Sequence, residues 1–204
     1  MNHKEWLKKT YSAKNVNDLG LAYDNWAENY DSHNFYYIPP TIITGLICRY
    51  LETKDSILDA GVGTGMLGSI LTTLGYQSLT GIDISEGMLS IARKRQVYKV
   101  LKKMVLGKQL GFNSDLFNAV ISVGTFTENH APPESFDELV RIVKPGGFII
   151  FSTRVDVDLG FQSKQDKLEK NGDWKLVEKT DTFQATPFAY PEVLIDAFVY
   201  KVSL

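Results

Sequence analysis

The feature that most constrains this chain is the run Asp59-Ala60-Gly61-Val62-Gly63-Thr64-Gly65, which joins a short apolar segment at 56–60 to a helical stretch at 64–74. A strand handed to a helix through glycines is the opening unit of an open α/β sheet, in which ligands bind outside the carboxyl ends of the strands. Glycine matters at such a place because backbone without a Cβ approaches a ligand closely.

The rest of the pattern extends that unit. Gly75 stops the first helix. Residues 79–84 read as a second strand, and Ser85 caps a helix running to about Arg95. A third strand lies within 97–106. Residues 117–123 are almost wholly apolar, as a parallel strand covered on both faces should be. A helix over 135–143 ends at Lys144-Pro145-Gly146-Gly147, a strong turn signal. Strand five covers 148–152, and a polar helix follows between Leu159 and Lys170. Segments 174–182 and 195–202 then alternate apolar and polar residues, joined only by a loop at 184–192, which predicts an antiparallel edge. The expected fold class is α/β: a doubly wound, mostly parallel, seven-stranded Rossmann-like sheet with an antiparallel last strand.

Ahead of the sheet the chain reads as helical and aromatic, with Tyr23, Trp26, Tyr30, Phe35, Tyr36 and Tyr37; Pro39-Pro40 interrupts it, and Pro40 opens a helix over 41–51. The expected organisation is an N-terminal helical lid or cap at 1–51 and a ligand-binding domain at 52–204, together one compact domain. At 204 residues, 44% of them hydrophobic, the chain has material for one buried core.

Composition excludes several classes. A net charge of −2 gives no field drawing the chain to nucleic acid or anionic lipid. The charged start leaves no apolar core for a signal peptide, and no apolar run approaches the roughly 20 residues of a membrane span. The single cysteine, Cys48, lies in an apolar stretch, reads as a buried thiol and suits a reducing compartment, so a cytoplasmic location is expected. With one cysteine and three histidines there is no zinc-ligand spacing, and no metal is expected. The basic stretch Arg93, Lys94, Arg95, Lys99, Lys102, Lys103 and Lys108 reads as a solvated surface balanced by acids elsewhere.

Asp83 ends the second strand some twenty positions after the glycine loop. A carboxylate there accepts hydrogen bonds from both hydroxyls of a ribose, so loop and acid together fit the adenosine part of a cofactor. Gly63-Thr64-Gly65-Met66-Leu67-Gly68 also satisfies the dinucleotide pattern. The charge of Asp59 beside the loop speaks against a pyrophosphate and suits the ammonium of a methionine moiety.

Leu58 to Gly65 resembles motif I of the class I S-adenosylmethionine-dependent methyltransferases. Thr80-Gly81-Ile82-Asp83-Ile84-Ser85-Glu86-Gly87-Met88-Leu89 resembles their next motif, and Arg141 to Gly147 the turn before strand five. Tyr23-Asp24-Asn25-Trp26-Ala27-Glu28-Asn29-Tyr30-Asp31 is similar to an N-terminal helix of many such enzymes. The run Val123-Gly124-Thr125-Phe126-Thr127-Glu128-Asn129-His130 resembles the Williams–Beuren critical region methyltransferase-like family. The resemblance implies S-adenosyl-L-methionine as cofactor and S-adenosyl-L-homocysteine as product. It implies a site in which Asp59, Ala60, Gly61, Gly63, Thr64 and Gly65 form the methionine and ribose loop, and Asp83 holds the ribose. Ile84 and Met88 would pack on adenine, Val123 and Gly124 would face the sulfonium, and Tyr30 would cover it. One departure stands out: after strand three, Val105-Leu106-Gly107-Lys108-Gln109-Leu110 lacks the acid that pairs with the adenine amine in many relatives, leaving backbone or Gln109 for that task.

Methyl transfer from a sulfonium chiefly requires alignment and exclusion of water. His130, after strand four, is the first candidate for proton abstraction, and Tyr30 is the second catalytic candidate. His33 and Glu128 have weaker claims, and Phe126 with the N-terminal tyrosines offers aromatic faces for the cation. The expected function is methyl transfer to an oxygen or nitrogen atom of a small-molecule acceptor, by a monomer or homodimer with no nucleic-acid or membrane partner. The alternatives are a cofactor-binding regulatory protein without robust turnover, and a methyltransferase for RNA or protein. Ala131-Pro132-Pro133 only superficially resembles the Asn-Pro-Pro-aromatic tetrad used on flipped bases.

Overall fold

In the computed structural model, which describes residues 1–34, 36–156 and 159–204, the chain alternates helix and strand after an all-helical start. The elements are α1 (His3–Tyr11), α2 (Val16–His33), α3 (Pro39–Tyr50), β1 (Ile57–Ala60), α4 (Met66–Thr73), β2 (Leu79–Asp83), α5 (Glu86–Arg95), β3 (Val100–Lys103), β4 (Phe117–Phe126), α6 (Ser135–Ile142), β5 (Val143–Arg154), α7 (Phe161–Asn171), β6 (Trp174–Lys179), β7 (Phe183–Thr186) and β8 (Tyr190–Val202). Phe35, counted among the lid aromatics, lies outside the described residues.

The sheet runs β3-β2-β1-β4-β5-β8-β6, with β7 paired to β8. Strands β1 to β5 are parallel, and β8 is antiparallel to β5, β6 and β7. The chain moves outward from β1 to β3 and then returns to β4 on the other side of β1. This reversal opens a crevice at the carboxyl ends of β1 and β4.

The fold class is as expected, with one strand more. Part of the stretch expected as a loop at 184–192 is a hairpin: Gln184 pairs with Leu194 and Thr186 with Tyr190, so backbone groups that a loop would leave to solvent join the ladder. The Lys144–Gly147 turn is present, absorbed into β5 as a bulge. Val143 pairs with Phe117 and Phe148 already with Ala119, while Gly146 sits at φ +79°.

Period-two alternation splits the core into two layers. Ile149 and Phe151 of β5 join the cluster of Phe126, Phe136, Phe161, Trp174 and Tyr200 on one face. Ile150 joins Ile43, Ile47, Leu71 and Ile121 on the other. Cys48 corrects the expectation of a buried thiol. The inward stripe of α3 is Ile43, Leu46 and Ile47, and the next residue round the helix, Cys48, is exposed.

Local signals set the helix ends. Ser85 Oγ accepts the Met88 N–H at 3.0 Å, and the N-terminus of α5 receives a second oxygen from α2: Asp24 Oδ1 accepts the Ser85 hydroxyl at 2.6 Å and the Gly87 N–H at 2.7 Å. Gly87 is required here, since a Cβ would stand 2.7 Å from the Asp24 Cα. The basic end of α5 is balanced locally: Arg93 pairs with Glu86, Lys94 with Glu28 and Arg95 with Asp31. Among the described residues no helix is long and apolar enough to cross a membrane.

Candidate active site

A cavity of about 350 Å³ occupies the crevice, roofed by α2. Its floor comes from the carboxyl-terminal parts of three strands: Gly61 and Gly63 after β1, Asp83 at the end of β2 with Ile84 after it, and Val123 and Gly124 in β4. Gly61 sits at φ +84°, and a Cβ there would overlap the Thr125 hydroxyl. At Gly63, φ +54°, a Cβ would meet nothing within 4 Å, so this glycine borders open cavity.

Asp83 is buried, and its oxygens accept backbone N–H groups of Ser85, Gly63 and, with a smaller effect, Ile84. Gly63 N–H reaches Oδ2 and Ser85 N–H reaches Oδ1, both at 2.8 Å. A carboxylate has about four acceptor positions on its two oxygens, so Asp83 keeps acceptor capacity for ribose. Burial pushes this carboxyl up to about 6, with the backbone bonds to Ser85 and Gly63 acting the other way. Ile84 and Met88 wall one part of the cavity, and Met104, Leu106 and Gly107 another. Gln109 is exposed and does not line the cavity, whereas residues 104–108 do. The remaining acceptor capacity of Asp83, the open space over Gly63 and these apolar walls fit an adenosyl group.

Four members of the expected site stand elsewhere. Asp59 is buried with its Oδ2 accepting the Tyr98 hydroxyl at 2.6 Å, and it does not line the cavity. Burial raises its carboxyl to about 7. Its charge therefore does not face a ligand's phosphates; the antiparallel strands at the end of the sheet are the feature that sets this fold apart from dinucleotide domains. Ala60 is buried with its carbonyl oxygen accepting the Ser122 hydroxyl at 2.7 Å. Thr64 turns its hydroxyl to Asp31, at 2.5 Å. Gly65, at φ +80°, caps α4 and admits Ala92 and Tyr98, both 3.1 Å from where its Cβ would be. These four shape the loop from behind, while Gly61, Gly63, Asp83, Ile84, Met88, Val123, Gly124 and Tyr30 line the cavity.

His130 lines the cavity too, held by both ring nitrogens. Nδ1 lies 2.6 Å from the Glu128 carbonyl oxygen and Nε2 lies 2.7 Å from the Tyr23 hydroxyl. Burial lowers its pKa. Tyr30 stands edge-on to Trp26 and Tyr23, its phenol raised above the ordinary range by burial and by Asp83. The other candidates are placed differently. His33 Nδ1 accepts the Trp26 indole N–H at 2.9 Å, away from the cavity lining. The Glu128 side chain is exposed. Phe126 is in the core, against Phe136, Phe151 and Phe161.

Tyr23, Asp24, Asp31, Tyr37 and Tyr98 have contacts that the sequence pattern did not single out. The first three lie in the segment whose resemblance to an N-terminal helix was noted, but nothing local marks their partners, which are 107, 61 and 33 positions away.

A doubly wound sheet with a glycine loop and a ribose-ready acid at its switch point defines a Rossmann-like domain for a nucleoside cofactor. Residues 58–151 match the family described as "Methyltransferase domain". The chain is similar to human "Methyltransferase-like protein 27", 31% identical over 165 residues, covering 75% of this chain and 66% of that protein. It is also similar to a malonyl-acyl-carrier-protein O-methyltransferase of Marinomonas, 27% identical, covering 66% of this chain and 51% of that one. The chain thus spans about two thirds or less of the length of these relatives. Among solved structures, the cyclase SpnF shares the fold with a TM-score of 0.77 at 14% identity, over 94% of this chain and 98% of that one. A methyltransferase of Methanosarcina mazei shares it with a TM-score of 0.66 at 16% identity, over 78% and 97%. The chain belongs to the class I S-adenosylmethionine-dependent methyltransferases, and S-adenosylmethionine is its cofactor.

Proposed function

We propose that this chain transfers the methyl group of S-adenosylmethionine to an oxygen or nitrogen atom of a small molecule. The observation that carries this reading is a single cavity in which the loop and Asp83, able to hold the adenosyl group, adjoin polar groups able to handle an acceptor, Tyr23, Tyr30 and His130. Gly61 and Gly63 would offer backbone to the methionine and ribose, Asp83 would take the ribose hydroxyls, and Ile84 and Met88 would cover adenine. Bound there, the cofactor supplies a methyl group already activated on a sulfonium. The chain's own part is to exclude water, to orient the acceptor and to receive its proton. Relatives named as O-methyltransferases support an oxygen acceptor. The pairing of Arg93, Lys94 and Arg95 with acids supports a small molecule over RNA.

Fold alone does not decide chemistry, as the shared fold of a cyclase illustrates. The test is an acceptor screen: methyl-labelled cofactor and a metabolite extract, read by mass spectrometry, with S-adenosylhomocysteine titrated calorimetrically. Label in a small-molecule product supports the reading. Tight homocysteine-product binding without label in any product would support the regulatory alternative.

A further inference from the structure

The cavity holds a hydrogen-bonded pair whose polarity follows from its surroundings. The carbonyl oxygen of Glu128 only accepts, so the contact at 2.6 Å requires a proton on Nδ1 of His130. In the neutral ring Nε2 then carries a lone pair, and the Tyr23 hydroxyl, 2.7 Å away, donates to it. Both side chains line the cavity. The loop bearing His130 is built to hold this arrangement. Asn129 takes the left-handed conformation at φ +59°, and its side-chain amide donates to the Tyr11 carbonyl oxygen at 2.6 Å. The His130 N–H closes a turn on the Thr127 carbonyl at 3.2 Å, and the Tyr11 ring packs at 5.4 Å from the imidazole. Thus α1, α2 and the loop converge on one ring.

From this geometry we infer that Tyr23 meets the methyl acceptor and relays the acceptor's proton to His130, so that the acceptor is a hydroxyl or N–H group that keeps its proton at neutral pH. The inference rests on the transfer reading above and names its substrate class. Because Nε2 is occupied by Tyr23, an acceptor reaches the base through the phenol oxygen, which still has a lone pair to receive a proton. In the step, the acceptor's heteroatom bonds to the methyl carbon as the carbon–sulfur bond breaks, its electron pair staying on sulfur. The acceptor's proton passes to Tyr23 Oη while the proton of Tyr23 passes to His130 Nε2. Tyr23 ends as it began and His130 ends as the imidazolium, which loses its proton to solvent when product leaves. Burial suits both roles: it holds the Tyr23 phenol well above the ordinary range, so the tyrosine passes a proton without dwelling as phenolate, and it keeps His130 neutral and ready to accept. The titratable groups facing the ring are Tyr11 from α1 and Tyr23 from α2; Asp83 and Lys108 are the charged residues of the cavity wall. A carboxylate acceptor arrives without a proton and gains nothing from such a relay.

Two measurements test this on the full chain. In the free protein with isotope-labelled histidine, NMR should show His130 protonated on Nδ1 and bare on Nε2 at neutral pH, with the Nε2 resonance moving in Tyr23→Phe. A proton on Nε2, or no response to the substitution, overturns the relay whatever the turnover. With the acceptor found in the screen, Tyr23→Phe and His130→Gln should each lower kcat about 100-fold or more, abolish the rise of rate with pH, and leave S-adenosylhomocysteine affinity within twofold of wild type. Unaltered kcat in Tyr23→Phe overturns the relay alone. A wild type with the expected tautomer but no turnover overturns the transfer reading, and the relay with it.

Discussion

Thr64 Oγ1 donates to Asp31 Oδ1 at 2.5 Å, bonding the glycine loop to the helix that roofs it. Arg95 closes the triangle, pairing with Asp31 and donating through Nε to the Thr64 carbonyl oxygen at 2.7 Å. Helix α2 is therefore tied by polar bonds to both the loop and α5. Asp31→Ala should loosen this docking by about 1–2 kcal/mol, a modest figure because the group is partly exposed. Hydrogen exchange is the measurement: amides of α2 should exchange faster in the variant while β1 and β4 stay protected. No change in α2 would assign its docking to Trp26 and the surrounding rings instead.

We propose that α1 and α2 act as a lid, which must open for product exchange. They should exchange faster than β1 and β4 in the free protein and gain protection when S-adenosylhomocysteine is added. Strong, ligand-independent protection throughout α2 would make it a fixed part of the core.

Asp83→Ala removes an acceptor for ribose together with the bonds from Gly63 and Ser85. Cofactor affinity should fall by about 2–4 kcal/mol, since bonds to charged groups contribute roughly 1.5–3 kcal/mol each and do not add fully. Melting should also drop, because two backbone donors lose their partner. Calorimetric titration giving wild-type affinity would place the ribose elsewhere.

Gly124 sits at φ +68°, and a Cβ there would lie 2.5 Å from the Tyr37 hydroxyl. Gly124→Ala should destabilise the protein through both strain and overlap. Adding Tyr37→Phe removes the offending oxygen and should restore part of the loss, leaving about 1–2 kcal/mol of left-handed strain. Thermal melts of the two variants decide this; a double variant no better than Gly124→Ala would mean that strain alone is responsible.

Asp59 gives a pH signature. Its folded carboxyl is raised to about 7 by burial, against an ordinary value of 3.8. The stability it contributes is therefore fully present below about pH 4 and is lost as pH rises through about 7. Asp59→Asn keeps an oxygen for the Tyr98 hydroxyl and cannot ionise, so its melting temperature should gain on wild type from about pH 4 to about 7 and level off above that. A constant difference across that range would show that Asp59 titrates normally.

The legible parts of this protein are those encoded within a few residues. The glycine loop, the Ser85 cap, the apolar run of β4 and the bulge glycines each declare themselves locally, because backbone conformation and period-two or helical burial act at short range. Asp83 was legible as the acid at the end of β2, where strand geometry alone brings it to the loop. The hairpin of β7 was missed because a run of four residues, Phe183 to Thr186, is too short for its alternation to declare a strand, and it gains strand character by pairing with β8.

By itself the sequence determined the order of strands and helices apart from β7, the antiparallel end of the sheet and the place of the glycine loop and Asp83 at its switch point. Tertiary structure alone decided which way side chains turn. Asp59, next to the loop in sequence, faces Tyr98 behind it; Cys48, set among apolar residues, faces solvent; His130 meets Tyr23 from 107 positions away. The physical reason is that a local pattern specifies backbone and face, whereas a hydrogen-bond partner is specified only when distant elements pack and burial obliges each polar group to find one.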